Sequence, residues 1–405
     1  MKVKKVVFKN PEGHNLTASV ELPADRKPGN FAIFAHCFTC NKNFSAVRNI
    51  SRALTSAGFG VLRFDFTGLG ESEGDFADTN FSGNIQDIKA AASFLEEYYV
   101  APSLLIGHSL GGAAVLYAAA DIAAITAVAS IGAPSDPIHV TRLISSDLDD
   151  ISTKGQAEVS IGGRPFTIKK QFIDDLKAID MSLVLKNLRK AVLIAHSPQD
   201  NIVGIDNAAA IFTAARHPKS FVSLDGADHL LSKTEDSQYI GDIIAHWAKR
   251  YISFQETKKP ETHLQVVANL NGDDKFTTQI KAGNHYLIGD EPETYGGNDF
   301  GPSPYDFVSA GLATCTAMTI KMYADRKKWP IEEVNVHIEH NKIYGEDCGA
   351  CENSSTAKID KFTRVIELKG ELDYSQKARL LEIANKCPVH KTLLSEIKIE
   401  TKLKT

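Results

Sequence analysis

The stretch Ser103-Leu104-Leu105-Ile106-Gly107-His108-Ser109-Leu110-Gly111 decides the fold of this chain. Its first four residues are mainly apolar and predict a short buried strand. The run that follows, residues 112–120, is rich in alanine and predicts a helix. A Gly-x-Ser-x-Gly motif at a strand-to-helix turn is a nucleophile elbow, which exposes the serine at the tip of the turn. Ser109 is therefore the candidate nucleophile, and the helix N-terminus favours negative charge beside it.

A candidate acid and a candidate base follow in chain order. Residues 191–196 predict a buried strand, and Asp200 lies in the loop after it. Residues 221–224 predict a further strand, and His229 follows within five residues. Because the carboxyl ends of parallel strands meet at one edge of an open sheet, we expect these side chains to meet. Ser109 is the expected nucleophile, His229 the general base and acid, and Asp200 the group that orients the imidazole.

Other residues compete for two of these roles. Asp225 and Asp228 are alternative acids, and His196 and His217 are alternative bases. Asp228 is adjacent to His229, so its side chain is expected to point elsewhere. Asp225 lies in a turn, where capping of the backbone is the simpler interpretation. Asp200 is therefore preferred as the acid.

The oxyanion hole of such a site needs two backbone N–H groups that point at the tetrahedral oxygen. We assign one to Leu110, the residue after the nucleophile. The second is assigned to Phe38, in the loop His36-Cys37-Phe38-Thr39-Cys40 that follows a predicted strand over residues 31–35.

Together with Asp65-Phe66-Thr67-Gly68-Leu69-Gly70-Glu71-Ser72, these motifs resemble the α/β-hydrolase superfamily over residues 1–252. Within it, the chain is similar to small serine esterases and peptidases. The resemblance implies a doubly wound, mostly parallel sheet. One departure is Cys37, which stands where the oxyanion motif usually has glycine and adds a redox-sensitive thiol beside the hole.

Residues 136–188 are longer than a normal connection and predict a hairpin about Gly162-Gly163 followed by helix. A short cap that shapes the acyl pocket is the functional interpretation, and surface decoration is the alternative.

Composition excludes several classes of function. The 405 residues exceed one ordinary core, so two domains are expected. A net charge of −5 gives no electrostatic reason to expect nucleic acid or an anionic membrane as a partner. The apolar region 111–134 contains Asp121 and divides into a helix and a strand, so no membrane span is expected.

The N-terminal residues and the cysteines indicate an expected cellular compartment. The N-terminal residues alternate like an edge strand and lack the apolar core of a signal peptide. The six cysteines are widely spaced, which favours a reducing cytoplasm over a disulfide scaffold.

The chain changes character after residue 252. Residues 253–262 are polar, contain Pro260 and predict a linker. Residues 263–405 then predict an α+β domain. Its expected strands are 264–270, 276–280, 285–288, 334–343, 363–372 and 396–403, and its expected helices are 304–327 and 376–386.

This second domain resembles the OsmC/Ohr family of organic hydroperoxide resistance proteins. The resemblance depends on Gly301-Pro302-Ser303-Pro304-Tyr305-Asp306, Ala313-Thr314-Cys315-Thr316 and Cys387-Pro388-Val389-His390. It implies a homodimer and reduction of organic hydroperoxides, with Cys315 as the attacking thiol and Cys387 as the resolving thiol.

Two departures weigh against that activity. Family peroxidases have a glutamate ten residues before the first cysteine, and here that position is Tyr305. No arginine occurs between Arg250 and Arg326, where the activating guanidinium is expected. His285 or a helix end is an alternative source of charge. A buried core cysteine and a non-catalytic dimerisation or ligand-binding module are the competing interpretations of Cys315.

Two Cys-x-x-Cys pairs remain. Cys348 and Cys351 lie in a polar stretch, for which an ordinary loop is favoured over a redox dithiol or a zinc site. Cys37 and Cys40 overlap the oxyanion loop, and one hypothesis is that their disulfide distorts the hole and silences Ser109.

The sequence therefore predicts a cytoplasmic fusion protein without metal or cofactor. Its first half is expected to hydrolyse small acyl esters through an acyl-enzyme, ahead of thioesters and amides. Its second half is a candidate peroxidase, and the alternative is that this half is the main enzyme.

Overall fold

The computed structural model describes residues 2–161, 163–254, 259–272, 274–344 and 358–404. Its contacts divide the chain into two compact units, Met1–Thr257 and Lys258–Thr405. None of the described helices combines the length and the apolar composition that a bilayer span requires.

The first unit begins with three consecutive strands, after which helices separate most of its strands. They are β1 (Lys2–Lys9), β2 (Asn15–Leu22), β3 (Phe31–Ala35), β4 (Gly60–Phe64), β5 (Pro102–His108), β6 (Ala127–Ile131), β7 (Gln156–Ile161), β8 (Arg164–Lys169), β9 (Ala191–His196) and β10 (Lys219–Ser223).

Eight of these strands form one twisted sheet in the order β1-β2-β4-β3-β5-β6-β9-β10. The pairs β1–β2 and β2–β4 are antiparallel, and every later pair is parallel. The central strands β3, β4, β5, β6 and β9 are buried along their whole length, apart from Ser103 in β5. This explains their continuous apolar sequences, because a parallel strand covered on both faces has no solvent side.

Helices cover both faces of this sheet, as the doubly wound fold predicts. They are α1 (Ser45–Ser56), α2 (Phe81–Tyr98), α3 (Leu110–Ala118), α4 (Leu148–Lys154), α5 (Lys170–Lys177), α6 (Met181–Asn187), α7 (Asp206–Ala214) and α8 (Thr234–Ala248). Helices α1 and α8 pack on one face, whereas α2, α3 and α7 pack on the other. The two resulting cores hold the sheet rigid, so its strand ends are fixed points on which a site can be built.

The segment between β6 and β9 contains a 3₁₀ segment (Pro137–Asp147), α4, the β7–β8 hairpin, α5 and α6. The hairpin occurs where the Gly162-Gly163 turn predicted it. Its apolar residues Val159, Ile161 and Ile168 join the same core as α2 and α3. The segment is therefore packed against the unit and is not a loose excursion from it.

The second unit combines helices with two small antiparallel sheets. Its elements are β11 (Val266–Asn269), β12 (Thr278–Ala282), β13 (His285–Gly289), α9 (Pro304–Lys327), β14 (Ile331–Tyr344), β15 (Lys358–Gly370), α10 (Tyr374–Ala384) and α11 (Pro388–Leu393). Strands β11, β12 and β13 form one sheet, and β14 and β15 form the other. The mixed α+β character expected for this part is confirmed, and α9 has the predicted bounds.

One expected strand is absent. Residues 396–403 alternate between polar and apolar residues, but they form no strand and pair with no sheet. Their apolar side chains are largely exposed, at 55% for Ile397, 84% for Ile399 and 91% for Leu403. The prediction was wrong because alternation supplies only one face, whereas a strand also needs a neighbour to complete its backbone hydrogen bonds.

Candidate active site

Ser109 lies at the turn between β5 and α3 with a backbone conformation that is rare for a side-chain-bearing residue. Its φ is 56° and its ψ is −127°, and its N–H donates to the carbonyl of Ile131 at 2.8 Å. Glycine is required at Gly107 and Gly111 because other backbone atoms approach both positions closely. A Cβ at Gly107 would lie 2.2 Å from the Gly111 carbonyl oxygen, and one at Gly111 would lie 2.3 Å from that of His36. This strained turn is the elbow that the motif predicts.

The three predicted side chains lie together at the carboxyl edge of the sheet. Ser109 Oγ is 3.0 Å from His229 Nε2, and His229 Nδ1 is 2.7 Å from Asp200 Oδ2. Gly132, directly after β6, lies against this group with a φ of 55°, a conformation that favours glycine. A Cβ there would be in ordinary van der Waals contact with Asp200 Oδ2 and the His229 ring.

Hydrogen bonding at Asp200 sets the proton arrangement of the imidazole. Asp200 Oδ1 accepts the N–H groups of Ile202 and Val203 at 2.9 Å each. Burial raises the pKa of this carboxyl, but the bonds from His229, Val203 and Ile202 outweigh it and lower the pKa overall. The ionised carboxylate can only accept, so Nδ1 of His229 carries the proton and Nε2 is left to accept from Ser109.

A second histidine lies directly beneath this group. His108, the last residue of β5, is fully enclosed, and its Nε2 is 2.7 Å from the backbone carbonyl oxygen of His229. The two rings lie 5.1 Å apart. Burial, followed by the nearby His229, lowers the pKa of His108 to about 3. His108 is therefore neutral and donates its Nε2–H to the loop that carries His229.

His36 and His196 occupy matching positions at the ends of β3 and β9. His36 Nδ1 lies 2.8 Å from the Cys37 carbonyl oxygen, and His196 Nε2 lies 2.7 Å from that of Val203. Burial lowers the pKa of His36 as well. Each of the three buried imidazole rings therefore bonds to one loop of the site. His36 bonds to the oxyanion loop, His108 to the His229 loop and His196 to the Asp200 loop. Sequence reasoning considered His196 only as a rival base and missed all three of these positioning contacts.

Asp225 and Asp228, the rival acids, have other partners. Asp225 accepts from Ser223 Oγ at 2.8 Å, and Asp228 accepts the N–H of Ser232 at 2.9 Å. His217, a rival base, precedes the cis peptide bond to Pro218, before β10. Asp200 is thus the carboxylate that bonds to His229.

The expected oxyanion donors have the properties that such a role needs. Within the described residues, neither the Leu110 N–H nor the Phe38 N–H donates a hydrogen bond. Phe38 is held by aromatic contacts, with ring centroids 5.2 Å from Phe172 and 5.4 Å from Phe76. Phe166 of the β7–β8 hairpin contacts Phe76 at 4.9 Å. We call Phe38, Phe76, Phe166 and Phe172 the phenylalanine cluster.

Cys37 and Cys40 form a disulfide across the oxyanion loop. The contact between Ser109 and His229 is intact with this disulfide present. The guanidinium of Arg164, on β8, donates to the carbonyl oxygen of Thr39 and fastens the loop to the hairpin.

In the second unit, Cys315 lies on α9 and Cys387 directly precedes α11. Both are free thiols, Cys315 partly exposed and Cys387 buried, and they lie close enough to interact electrostatically. Arg364 of β15, which sequence reasoning also missed, bonds to Thr316, the neighbour of Cys315, at 2.9 Å. No local signal marks this arginine, because it lies 49 residues beyond Cys315.

Tyr305, which stands where family peroxidases have glutamate, and His285, the alternative source of positive charge, have different surroundings. Tyr305 stacks on the His340 ring with centroids 4.4 Å apart. His285 is exposed at the start of β13.

Cys348 and Cys351 lie outside the described residues. In the part of the chain that the structure describes, no group of three or more His, Cys, Asp or Glu side chains is arranged to hold a metal ion.

Comparison with known proteins agrees with this architecture. A family model described as the alpha/beta hydrolase family matches residues 32–252, and one described as OsmC-like protein matches residues 296–402. The first match covers more than half of the chain, so the chain belongs to the alpha/beta hydrolase family. Its C-terminal part is an OsmC-like domain.

Similar proteins point to ester chemistry. The crystal structure of the esterase domain of a Rhodothermus marinus protein is 51% identical, with a TM-score of 0.53, and covers 62% of this chain and 99% of that one. The mitochondrial palmitoyl-protein thioesterase ABHD10 of Rattus norvegicus is 30% identical over 135 residues, which is 32% of this chain and 43% of the rat protein. The chain thus spans less than half the length of that relative. Mouse alpha/beta hydrolase domain-containing protein 10 shares the fold at 20% identity and a TM-score of 0.52, over 61% of this chain and 99% of that one.

Proposed function

We propose that the first unit of this alpha/beta hydrolase is a serine esterase that cleaves small carboxylic esters through an acyl-enzyme on Ser109. The observation that carries this proposal is the continuous hydrogen-bonded path from Ser109 Oγ through His229 to Asp200, at 3.0 and 2.7 Å. Such a path activates a hydroxyl that is a weak nucleophile by itself.

The reaction follows from the proton arrangement of the site. Ser109 Oγ attacks the ester carbonyl carbon while its proton passes to His229 Nε2, and Asp200 stabilises the imidazolium that forms. The N–H groups of Leu110 and Phe38 receive the negative oxygen. Collapse of the tetrahedral intermediate expels the alcohol with the proton from His229. Water, deprotonated by His229, then attacks the acyl-enzyme and releases the acid.

The surroundings support an uncharged acyl group of modest size. The phenylalanine cluster lies against the oxyanion loop and contributes no charge, and Phe38 and Phe172 are almost fully buried. Oxygen esters rank first because a solved esterase domain is 51% identical to this chain. Thioesters rank second, supported by the partial likeness to a palmitoyl-protein thioesterase, and amides rank third.

Labelling with a fluorophosphonate probe tests the proposal. We expect labelling of the full chain, loss of labelling in Ser109→Ala, and strong slowing in His229→Ala. Ser223→Ala is a matched control, because the Ser223 hydroxyl, at the end of β10, donates to Asp225 and lies outside the path from Ser109 to Asp200. Absence of labelling in the folded wild-type protein, or labelling that survives in Ser109→Ala, would contradict the proposal.

A second candidate function belongs to the OsmC-like unit, where the two neighbouring free thiols Cys315 and Cys387 support reduction of organic hydroperoxides. Sulfur attack on the O–O bond forms a sulfenic acid and releases an alcohol. The second thiol then condenses with the sulfenic acid, forms a disulfide and releases water. A homodimer through this unit is part of the same proposal, supported by exposed apolar side chains such as Met318 and Met322 on α9.

Consumption of cumene hydroperoxide in the presence of dithiothreitol tests this second function. Cys315→Ser is expected to abolish consumption, whereas Ser109→Ala is expected to retain it. Undiminished consumption by Cys315→Ser, or none by the wild-type protein, would leave the OsmC-like unit as a non-catalytic module.

A further inference from the structure

The backbone just after the oxyanion loop is bound by charged side chains. The N–H of Lys42 donates to Asp65 Oδ1 at 2.6 Å, and the carbonyl oxygen of Lys42 accepts from the guanidinium of Arg63 at 2.5 Å. Arg63 belongs to β4, and Asp65 is the first residue after that strand. Because β4 pairs with β3 in the sheet, the chain that leaves β3 is bound to the end of the neighbouring strand.

The side chain of Lys42 forms a buried ion pair with the same carboxylate. Its Nζ lies 2.5 Å from Asp65 Oδ2 and 2.6 Å from Glu71 Oε2. The Lys42 and Asp65 side chains are only 2% and 1% exposed, whereas that of Glu71 is 52% exposed. The N–H, the carbonyl oxygen and the ammonium of Lys42 are therefore all bonded to charged groups, which fixes this residue in one position.

Arg63 is itself held from the opposite side. Its Nε donates to Glu21 Oε1, on β2, at 2.7 Å. The guanidinium nitrogen that binds the Lys42 carbonyl oxygen also donates to Asn43 Oδ1 at 2.9 Å. A planar guanidinium fixed in this way presents its donors in one direction, so it orients the backbone that it binds.

Asp65 is enclosed by the loop that follows it. Its carboxylate accepts the Glu71 N–H at 3.0 Å, and its own N–H donates to the Thr17 carbonyl oxygen at 3.0 Å. Gly70 has a φ of 57°, and a Cβ there would lie 2.3 Å from the Asp65 carboxyl group. The motif over residues 65–72 therefore folds around the carboxylate that binds the buried lysine.

The start of the oxyanion loop is bound to the same strand end. The Phe66 N–H donates to His36 Nε2 at 3.4 Å, while His36 Nδ1 donates to the Cys37 carbonyl oxygen at 2.8 Å. Because burial lowers the pKa of His36, its ring is neutral and accepts at one nitrogen while it donates at the other. Phe38 thus lies between two attachments to the chain that follows β4.

We propose that Lys42 and Asp65 are positioning residues that hold the Phe38 N–H in the oxyanion hole. This inference rests on the proposed esterase function of Ser109. Burial of an ion pair costs about as much free energy as the attraction returns, so its main effect here is to impose one geometry on the loop. The hole acts on the negative oxygen of the transition state, so displacement of one donor lowers the rate without weakening substrate binding.

Steady-state hydrolysis of p-nitrophenyl butyrate by the full chain tests the proposal in Lys42→Met and Asp65→Asn. Each change removes one charge of the pair and nearly preserves the size of the side chain. We expect kcat to fall about tenfold, a part of the roughly 10²- to 10³-fold loss that follows removal of a whole oxyanion donor. KM should change by less than about twofold, because acylation and deacylation both use the hole.

A matched control and a double variant sharpen this test. Lys5 bonds to the other oxygen of Glu71 at 3.2 Å but lies at the surface, so Lys5→Met should leave kcat unchanged. The double variant Lys42→Met/Asp65→Asn should lose no more activity than either single variant, because all three lack the same ion pair.

Binding of butyl trifluoromethyl ketone separates positioning from stability. Ser109 Oγ adds to the ketone carbon, its proton passes to His229, and the resulting negative oxygen occupies the hole. In both single variants the inhibition constant should rise by the same factor as kcat falls. A variant that is only less stable should bind this ketone like the wild type when it is assayed well below its thermal midpoint.

Several outcomes would overturn the proposal. It fails if both folded single variants keep kcat within about twofold of wild type, or if kcat falls while the affinity for the ketone is retained. If neither variant folds, Glu71→Ala at the half-exposed partner decides: kcat should fall about threefold, and a kcat equal to that of Lys5→Met contradicts the inference. A wild-type protein that neither hydrolyses the ester nor binds the ketone would instead overturn the esterase function itself, and the inference with it.

Discussion

The two units hold their reactive atoms in different ways. In the hydrolase unit, Ser109, Asp200 and His229 follow strands of one sheet that is packed on both faces, and buried histidines fix the surrounding loops. Among the described residues of the OsmC-like unit, the buried core cluster is smaller and comprises Ile320, Ala324, Leu372, Leu380 and Ala384. There a single arginine joins one helix to the end of another beside the thiols. The first site is positioned by a sheet that is packed on both faces, and the second lies on helices that the Arg364 side chain joins.

The largest expected effect comes from removing the Ser109 hydroxyl. Ser109→Ala should lower the hydrolysis of p-nitrophenyl butyrate by about 10⁴-fold or more, because no other group can form the acyl-enzyme. The consumption of cumene hydroperoxide should not change. Equal loss of ester hydrolysis in Cys387→Ser would contradict the independence of the two sites.

The orienting acid comes next. Asp200→Asn should lower kcat by about 10³-fold, since the amide neither stabilises the imidazolium nor holds the reactive tautomer. Asp225→Asn, at the rival acid, should change kcat by less than about twofold because Asp225 lies outside the hydrogen-bonded path. Steady-state kinetics of both variants shows which carboxylate orients His229. A larger loss of kcat in Asp225→Asn than in Asp200→Asn would reverse the assignment.

A pH effect on stability is expected from His108. Its folded-state pKa of about 3 lies below the value of about 6.5 in an unfolded chain, so unfolding takes up a proton between these values. Stability therefore falls as the pH drops below 6.5, by about 2 kcal/mol from pH 7 to pH 5 for this one group. His108→Gln retains an N–H donor but does not titrate, so it should lack this part of the acid sensitivity.

Denaturant unfolding followed by Trp247 fluorescence measures this difference. Trp247 belongs to α8 of the hydrolase unit, and Trp329→Phe removes the second of the two tryptophans in the chain. An equal loss of stability on acidification with and without His108→Gln would rule out the buried neutral histidine.

The smallest effect is expected at the oxyanion-loop disulfide. Cys40→Ser, or reduction by tris(2-carboxyethyl)phosphine, should change the rate of ester hydrolysis by less than about threefold, since aromatic packing still holds the loop. Phe38 keeps its contacts with Phe76 and Phe172, and Arg164 still bonds to Thr39. A tenfold change in initial rate would instead support redox control of Ser109, the hypothesis suggested by the Cys-x-x-Cys spacing. Cysteine chemistry would then govern both units.

Local sequence was sufficient for most of the hydrolase unit. The apolar runs of β5 and β9 and the glycines around Ser109 predicted the fold class, which is confirmed. They also predicted which loops carry Ser109, Asp200 and His229. The reason is that each of these residues lies in the loop or turn that follows a strand of a parallel sheet, and the carboxyl ends of these strands share one edge.

Local sequence failed where a partner comes from far along the chain. The alternation of residues 396–403 predicted a strand that has no neighbour to pair with. The search for an activating arginine before Cys315 found none, whereas Arg364 approaches from β15.

By itself, then, the sequence determined the two-part organisation, the strand-to-helix turn at Ser109 and the identity of the candidate reactive groups, because these depend on neighbours within a few residues. The tertiary structure decided which carboxylate bonds to His229, which histidine holds its loop and which arginine bonds to Thr316 beside Cys315. These contacts join residues between 29 and 121 positions apart, and hydrophobic burial and backbone pairing, not local propensity, bring such residues together.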